Sequence, residues 1–171
     1  MSSQTTNTAP LDRFERSVEA YDVGVHRVQP SAVCETIETL LSGPAVGVSI
    51  DIDGATLPED VSTEPTSAEL EAAETGVTSA SLAIADYGSV VLRATAEGSE
   101  PISLFNDRHV VVLRESDIVP DMAAAFEWFG EELRESRDSA IIATGPSATA
   151  DMGALVQGAH GPKEVEVIVV T

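Results

Sequence analysis

The spacing of hydrophobic and polar positions predicts a chain in which helices alternate with short strands. Apolar residues at positions 11, 14, 18 and 21 recur at the interval found on the buried face of an amphipathic helix. Continuous or alternating apolar runs bounded by turn-forming residues indicate strands. By these rules the helices cover 11–21, 31–43, 66–76, 122–133 and 149–157. The strands cover 23–28, 45–50, 81–85, 89–94, 109–113, 140–143 and 165–170.

The order of these elements predicts the fold class. Strands alternate with helices, and a hairpin around Asp86-Tyr87-Gly88 interrupts the alternation. Such an order favours a single-domain α/β fold with a mixed, mostly parallel sheet flanked by helices. We expect this domain to cover 11–171 and to follow a disordered N-terminal tail at 1–10. In such sheets ligands bind beyond the carboxyl ends of the strands.

Two connecting segments lack a helical or strand pattern. Residues 51–65 are acidic and rich in turn formers, which predicts a surface loop that serves as a lid or a partner contact. Residues 96–101 are predicted to be a polar loop.

Composition narrows the class of protein. The 171 residues suit one domain, and no apolar run approaches the roughly 20 residues of a membrane-spanning helix. The first ten residues lack the basic and apolar regions of a signal peptide, so we predict a cytoplasmic protein. The single cysteine, Cys34, excludes an internal disulfide and a Cys-based cluster. The three histidines lie too far apart in sequence to suggest a metal site.

The charge is strongly negative. The chain has 29 acidic and 9 basic residues, a net charge of −20, and Lys163 is its only lysine. Such a surface repels nucleic acid and anionic membranes. We interpret it as an adaptation to a salty, halophilic cytoplasm, where the Debye length is about 3 Å near 1 M salt. The alternative interpretation is a patch that binds a cationic partner.

The segment after the strand at 140–143 is the first candidate site. Gly145 and Ser147 lie in a turn, and Thr149 and Asp151 lie at the start of a predicted helix. Free N–H groups at a helix start bind anions, and the two hydroxyls add hydrogen-bond donors. The alternative is ordinary capping by Ser147 or Thr149, with Asp151 facing the helix dipole.

Two histidines are candidates for chemistry. His160 lies beside Gly161 in a short loop, where it would act as a general acid or base or hold a substrate oxygen. Its alternative role is to satisfy nearby backbone carbonyls. His109 begins a buried strand and would pair with Asp86 or Asp107 in a catalytic role; the alternative is a structural histidine at a strand end.

Five short segments, taken in order, resemble the LUD-domain family and most closely its lactate-utilization protein C branch. The segments are Gly76-Val77-Thr78-Ser79-Ala80, Ala83 to Val91, Ser103-Leu104 leading to His109-Val110-Val111-Val112, Gly145 to Asp151, and Gly158-Ala159-His160-Gly161-Pro162. The resemblance implies a fold related to the sugar-phosphate isomerase and CoA-transferase superfamily. It also implies a non-redox role in L-lactate oxidation, beside partner subunits that carry the iron–sulfur and redox machinery.

Pattern and resemblance together select the site residues. We expect Gly88, Ser89, His109, Gly145, Ser147, Thr149 and Gly161 to bind a small carboxylate or another anion. We expect His160, Asp151 and Asp86 to be the catalytic candidates. No cofactor is predicted in this chain.

The chain also departs from the family pattern. Members of the family that the chain resembles usually have Arg where this chain has Ala148, which removes a carboxylate clamp that Arg108 or Arg93 could replace in space. Two further hypotheses therefore stay open. One is a catalytically silent binding or regulatory domain. The other is a stand-alone enzyme on a CoA-transferase-like fold, with Asp86 or Asp151 as its carboxylate.

Overall fold

The computed structural model describes residues 9–136, 138–151, 154–157 and 160–171, with the backbone alone at 135–136, 149–151 and 154–157. Residues 1–8 of the predicted tail therefore lie outside the described residues. The helices are α1 (Pro10–Val18), α2 (Val33–Leu40), α3 (Ser67–Ala72), α4 (Ser99–Phe105) and α5 (Met122–Ser136). Short 3-10 turns occupy Glu19–Tyr21, Pro30–Ala32 and Glu115–Asp117.

The strands form three sheets. They are β1 (Gly24–Val28), β2 (Ala45–Gly47), β3 (Val61–Ser62), β4 (Thr75–Ser79), β5 (Leu82–Ile84), β6 (Ser89–Arg93), β7 (Arg108–Arg114), β8 (Ile118–Val119), β9 (Ala140–Thr144), β10 (Ala148–Asp151), β11 (Ala154–Gln157) and β12 (Glu164–Val170). The large sheet has the order β1-β12-β7-β4-β2-β3, the small sheet has the order β8-β5-β6-β9, and β10 pairs with β11.

Every strand pair of the large sheet is parallel, so the predicted mostly parallel α/β fold is confirmed. The predicted hairpin exists as the antiparallel pair β5–β6. It lies in the small sheet, however, and leaves the large sheet unmixed. On the edge away from β5, β6 pairs with β9, which belongs to the small sheet. Ala80 lies between β4 and β5, and its N–H donates a hydrogen bond to the Val112 carbonyl of β7 in the large sheet.

Buried apolar side chains join these layers. The alternation along β7 places Val110 and Val112 on one face of the large sheet, against Ile37 of α2. It places Val111 and Leu113 on the opposite face, in the core that α1 and the small sheet share. Helix α5 packs on the outer face of the small sheet. Because both faces of β7 are covered, its sequence is a continuous apolar run.

The predicted helix over 149–157 is wrong. Strands β10 and β11 occupy this segment, in an antiparallel register that pairs Ala148 with Gln157 and Asp151 with Ala154. A helix of this length is marginal without tertiary packing, whereas two adjacent short strands satisfy each other's backbone groups. Because this segment does not form a helix, the anion site predicted at the start of that helix is wrong as well.

Other boundaries also differ from the sequence-based expectation. The capping box at Thr66 is confirmed, but α3 ends at Ala72 and β4 begins at Thr75. The β-branched residues of β4 favour a strand between two neighbours. The predicted loop at 96–101 gives way to α4 from Ser99 onward. Among the described residues, none of the helices combines the length and apolarity needed to cross a bilayer.

Candidate functional site

A cavity of about 550 Å³ lies between the large sheet, the small sheet and the end of α1. Its walls include Val18 from α1, Val90 from β6, Ile141 from β9 and Val167 from β12. The turn at 144–147 and the loop at 160–162 close one side. The volume lies within the range of pockets that hold small molecules.

The cavity lies at the amino ends of the large sheet's strands. His109 is the second residue of β7 and Val165 is the second residue of β12, and both line it. The expectation of a site at the carboxyl edge is therefore wrong for this sheet. In the small sheet, the carboxyl end of β9 lies at the cavity. The N–H of Ser147, in the turn after β9, donates a hydrogen bond to the Pro162 carbonyl at 2.8 Å. This bond joins the two loops that close the cavity.

Two glycines allow the turns to approach the end of α1. Gly88 has φ +63°, and a Cβ on it would lie 2.8 Å from Val18 Cγ1. Gly145 has φ +61°, and a Cβ on it would lie 2.7 Å from Tyr21 Cβ. Positive φ together with these close approaches explains why glycine occupies both positions.

His109 lines the cavity from a buried position. The residue is 2% exposed, and its Nε2 lies 2.7 Å from the hydroxyl oxygen of Thr78, which is fully buried. Burial lowers the pKa of His109 from 6.5 to about 4, because the charged ring would lose its hydration. The ring is therefore neutral near pH 7.

Most of the predicted site residues come together in this cavity. Those that line it are Gly88, His109, Gly145, Ser147, His160 and Gly161. Ser89 lies outside the lining, but its hydroxyl is 2.7 Å from that of Thr144, which does line the cavity. Thr149 and Asp151 lie in β10, and their side chains are outside the described residues.

The predicted pairing of His109 with a carboxylate is wrong. Asp86 instead accepts a hydrogen bond from Arg13 at 2.9 Å and is not among the residues that line the cavity. Asp107 pairs with Lys163 at 2.7 Å. The burial of His109 among strands explains the difference, because a charged partner would need to leave solvent with it.

The described residues that line the cavity carry no Asp, Glu, Lys or Arg. Ala148, the position where the family resemblance implies Arg, is one of them. Arg93 pairs with Glu132 and Asp138 instead. Arg108 bonds to Glu164 and the Leu40 carbonyl, so neither arginine replaces the missing one.

Sequence reasoning missed three polar groups of the site. Thr78 holds His109, and Thr144 and Tyr21 line the cavity. Thr78 lies within one of the family-like segments, and that resemblance is the one signal that the sequence offers for it. Tyr21 lies on the apolar face of the first predicted helix and Thr144 directly follows a predicted strand, and neither position indicates a cavity.

Exposed apolar side chains surround the cavity. Tyr21, Leu104 and Ile142 are 40–45% exposed and all line it. Clustered exposed apolar groups mark ligand or partner surfaces. Within the described part of the chain, no three His, Cys, Asp or Glu side chains converge as metal ligands.

Comparisons with known proteins agree with this architecture. Over 105 residues the chain is 36% identical to a Deinococcus radiodurans protein named lactate utilization protein C; the match covers 60% of this chain and 49% of that protein. It is 33% identical over 105 residues to a Geobacillus sp. protein of the same name, a match that covers 59% of this chain and 44% of the relative. The chain thus spans about half the length of these relatives.

A solved structure supports the same relationship. The crystal structure of a DUF162 family protein from Deinococcus radiodurans matches with a TM-score of 0.73 and 27% identity, covering 95% of this chain and 96% of that chain. The family model described as LUD domain matches residues 50–170, which include nearly every residue of the cavity. The chain belongs to the LUD-domain family.

Proposed function

We propose that this chain acts in lactate utilization as a non-redox subunit or accessory factor of a complex that oxidises L-lactate or a related 2-hydroxy acid. In this proposal the cavity binds a small carboxylate. Partner chains supply the iron–sulfur clusters and redox chemistry, because a cysteine-ligated cluster needs more thiolates than the single Cys34 offers. The family membership and the relatives' names support this role.

The convergence of the family-like loops carries the proposal. Segments far apart in sequence deliver Gly88, His109, Ser147 and His160 to one cavity. Ser147 is half-buried and His160 is exposed, so together they offer a carboxylate hydrogen-bond donors at the solvent side. The aliphatic walls suit the carbon chain of such an acid.

Two other hypotheses, a CoA-transferase-like enzyme and a silent binding domain, have less support than this proposal. A CoA-transferase-like enzyme needs a carboxylate in the cavity; Asp86 faces Arg13 outside it, and the side chain of the other candidate, Asp151, lies outside the described residues. A silent binding domain fits the absence of a fixed cation among the described lining residues. It differs from the main proposal in predicting no effect of this chain on the turnover of a partner complex.

Ligand binding gives the first test. Calorimetry in molar KCl should detect L-lactate or pyruvate, and Ser147→Ala should weaken the binding several-fold. Ser116→Ala, at an exposed position outside this cavity, is the matched control and should bind as the wild type does. Ala148→Arg restores a cation at an exposed lining position and should tighten binding about tenfold. Unchanged affinity in both cavity variants would place the ligand elsewhere.

Partner association gives the second test. The tagged chain, purified from its source cells in molar salt, should bring down proteins with cysteine-rich cluster motifs. The recovered complex should oxidise L-lactate, and omission of this chain on reconstitution should lower the rate. Recovery of the chain alone would contradict the complex, while retained binding of a carboxylate would then favour the silent binding domain.

A further inference from the structure

The contact between His109 and Thr78 decides which ring nitrogen of His109 carries hydrogen. The 2.7 Å contact joins Thr78 Oγ1 to His109 Nε2, and either atom could donate. Thr78 makes no other side-chain hydrogen bond within the described residues, and it is fully buried. If the ring donated, the hydroxyl hydrogen of Thr78 would remain buried without an acceptor. Native proteins rarely leave such a group unsatisfied.

The hydroxyl of Thr78 therefore donates and Nε2 accepts. A neutral imidazole carries one hydrogen, so that hydrogen lies on Nδ1. Nδ1 has no hydrogen-bond partner in the described part of the chain, and His109 lines the cavity. The site thus contains a fixed, uncharged donor for which the described residues supply no acceptor, so water or a ligand can take that place.

We propose that the Nδ1–H group of His109 binds the carbonyl oxygen of a 2-oxo acid, and that Thr78 is the positioning residue that fixes this tautomer. The inference rests on the proposed function, since it places the ligand in the same cavity. A carbonyl oxygen only accepts hydrogen bonds, which matches a group that only donates. A 2-hydroxy acid must also find an acceptor for its own hydroxyl hydrogen, and the described lining contains no carboxylate to accept it. The cavity consequently binds a 2-oxo acid more tightly than the corresponding 2-hydroxy acid.

The burial of the two histidines orients the ligand. His109 is almost fully buried and neutral, so it cannot balance a carboxylate. The exposed end, with His160 and Ser147, leaves the carboxylate in contact with water. The C2 oxygen then points inward, and the carbon chain lies along Val90 and Val167.

Two substitutions at position 109 separate the two ring nitrogens. The amide of asparagine reaches the position of Nδ1, while that of glutamine reaches the position of Nε2. We expect His109→Asn to keep pyruvate binding within about threefold of the wild type, and His109→Gln to weaken it about tenfold. Thr78→Val should weaken pyruvate binding by a similar factor, and Thr78→Ser should restore it. Propionate, which lacks the C2 oxygen, should bind all five proteins equally weakly.

Nitrogen-15 NMR of the free and pyruvate-bound wild type completes the test and does not depend on the variants folding. The expected result is hydrogen on Nδ1 of His109 in the free protein and a shift of that resonance with pyruvate. Hydrogen on Nε2, or pyruvate binding that leaves His109 unmoved, would overturn the inference. Pyruvate affinity no greater than that of L-lactate would overturn the stated preference. If neither acid binds while the hydrogen lies on Nδ1, the carboxylate part of the proposed function fails and the tautomer assignment stands.

Discussion

Acidification should destabilise this protein through His109. In the folded chain, burial holds the pKa of this side chain at about 4, whereas the unfolded chain has the ordinary value of 6.5. Between these two pH values the unfolded state binds more protons than the folded state, so the free energy of unfolding falls as the pH falls. Stability from the neutral ring is fully present above pH 6.5 and is lost progressively down to about pH 4.

The magnitude follows from the size of the pKa difference. At about 1.4 kcal/mol per pKa unit, the shift from 6.5 to about 4 corresponds to about 3 kcal/mol. That is a large fraction of the roughly 5–15 kcal/mol that stabilises a typical domain. The ring is nearly inaccessible to solvent, so screening reduces the effect little.

Urea unfolding in molar KCl between pH 7 and pH 4 measures this effect. Acid affects the stability of the whole protein, so the informative quantity is the difference between wild type and His109→Gln, which cannot ionise at this position. That difference should shift by about 3 kcal/mol in favour of the variant as the pH falls. Val167→Ala, a core change without a titrating group, should give a difference that is flat with pH. A flat curve for His109→Gln as well would refute the reasoning about its burial.

Other features predict smaller and separable effects. Thr66→Ala removes the capping box of α3 and should lower the free energy of unfolding by about 1 kcal/mol in urea titrations, while Thr66→Ser should keep it. Gly145→Ala forces a side chain against Tyr21 at positive φ and should cost about 1–3 kcal/mol by the same assay, with carboxylate binding weakened as well. Asp86→Asn breaks only a partly exposed ion pair with Arg13, so unfolding should change by less than about 1 kcal/mol; calorimetry should show unchanged ligand affinity, as expected of a residue outside the cavity. If the negative surface is an adaptation to high salt, thermal melts should rise by several degrees from dilute to molar KCl.

The sequence correctly predicts those parts of the fold in which buried apolar residues recur at a regular spacing along the chain. Strands β7 and β12 are covered on both faces, so they appear as continuous apolar runs. Helix α1 buries one face, and Leu11, Phe14 and Val18 mark that face at helical spacing. In both cases the residues that pack are the residues that form the pattern.

The missed elements depend on partners that sequence spacing does not reveal. Strand β4 carries Thr, Gly and Ser among its five residues, and it is buried because β2 and β7 lie on either side of it. Helix α4 contains Pro101 near its start, where a missing N–H is tolerated, although proline usually signals a loop. Strands β10 and β11 exist because each supplies the other's hydrogen bonds.

The sequence identified several residues of the candidate site, but it did not predict the position of the site. Family-like loops identified Gly88, His109, Ser147 and His160, and the cavity brings all four together. The general rule for α/β sheets placed them at the carboxyl edge of one sheet. That rule fails because β9 belongs to the second sheet, so its carboxyl end meets the amino ends of the large sheet. The position of β9 beside the large sheet depends on its pairing with β6, which sequence spacing does not reveal.

The distribution of charge in the protein bears on whether the cavity can bind a carboxylate with alanine at position 148. The surface carries a net charge of −20, and most of its basic side chains are held in ion pairs with neighbouring acids. The described cavity lining, in contrast, has no fixed charge. In molar salt a carboxylate at the exposed end is screened over about 3 Å, so it does not need a buried cation to enter. Under the proposed function, selectivity then depends on directional neutral donors such as His109 and on the shape of the aliphatic walls. An alanine at position 148 is consistent with a working site of this kind, in which solvent and salt balance the charge that an arginine would otherwise hold.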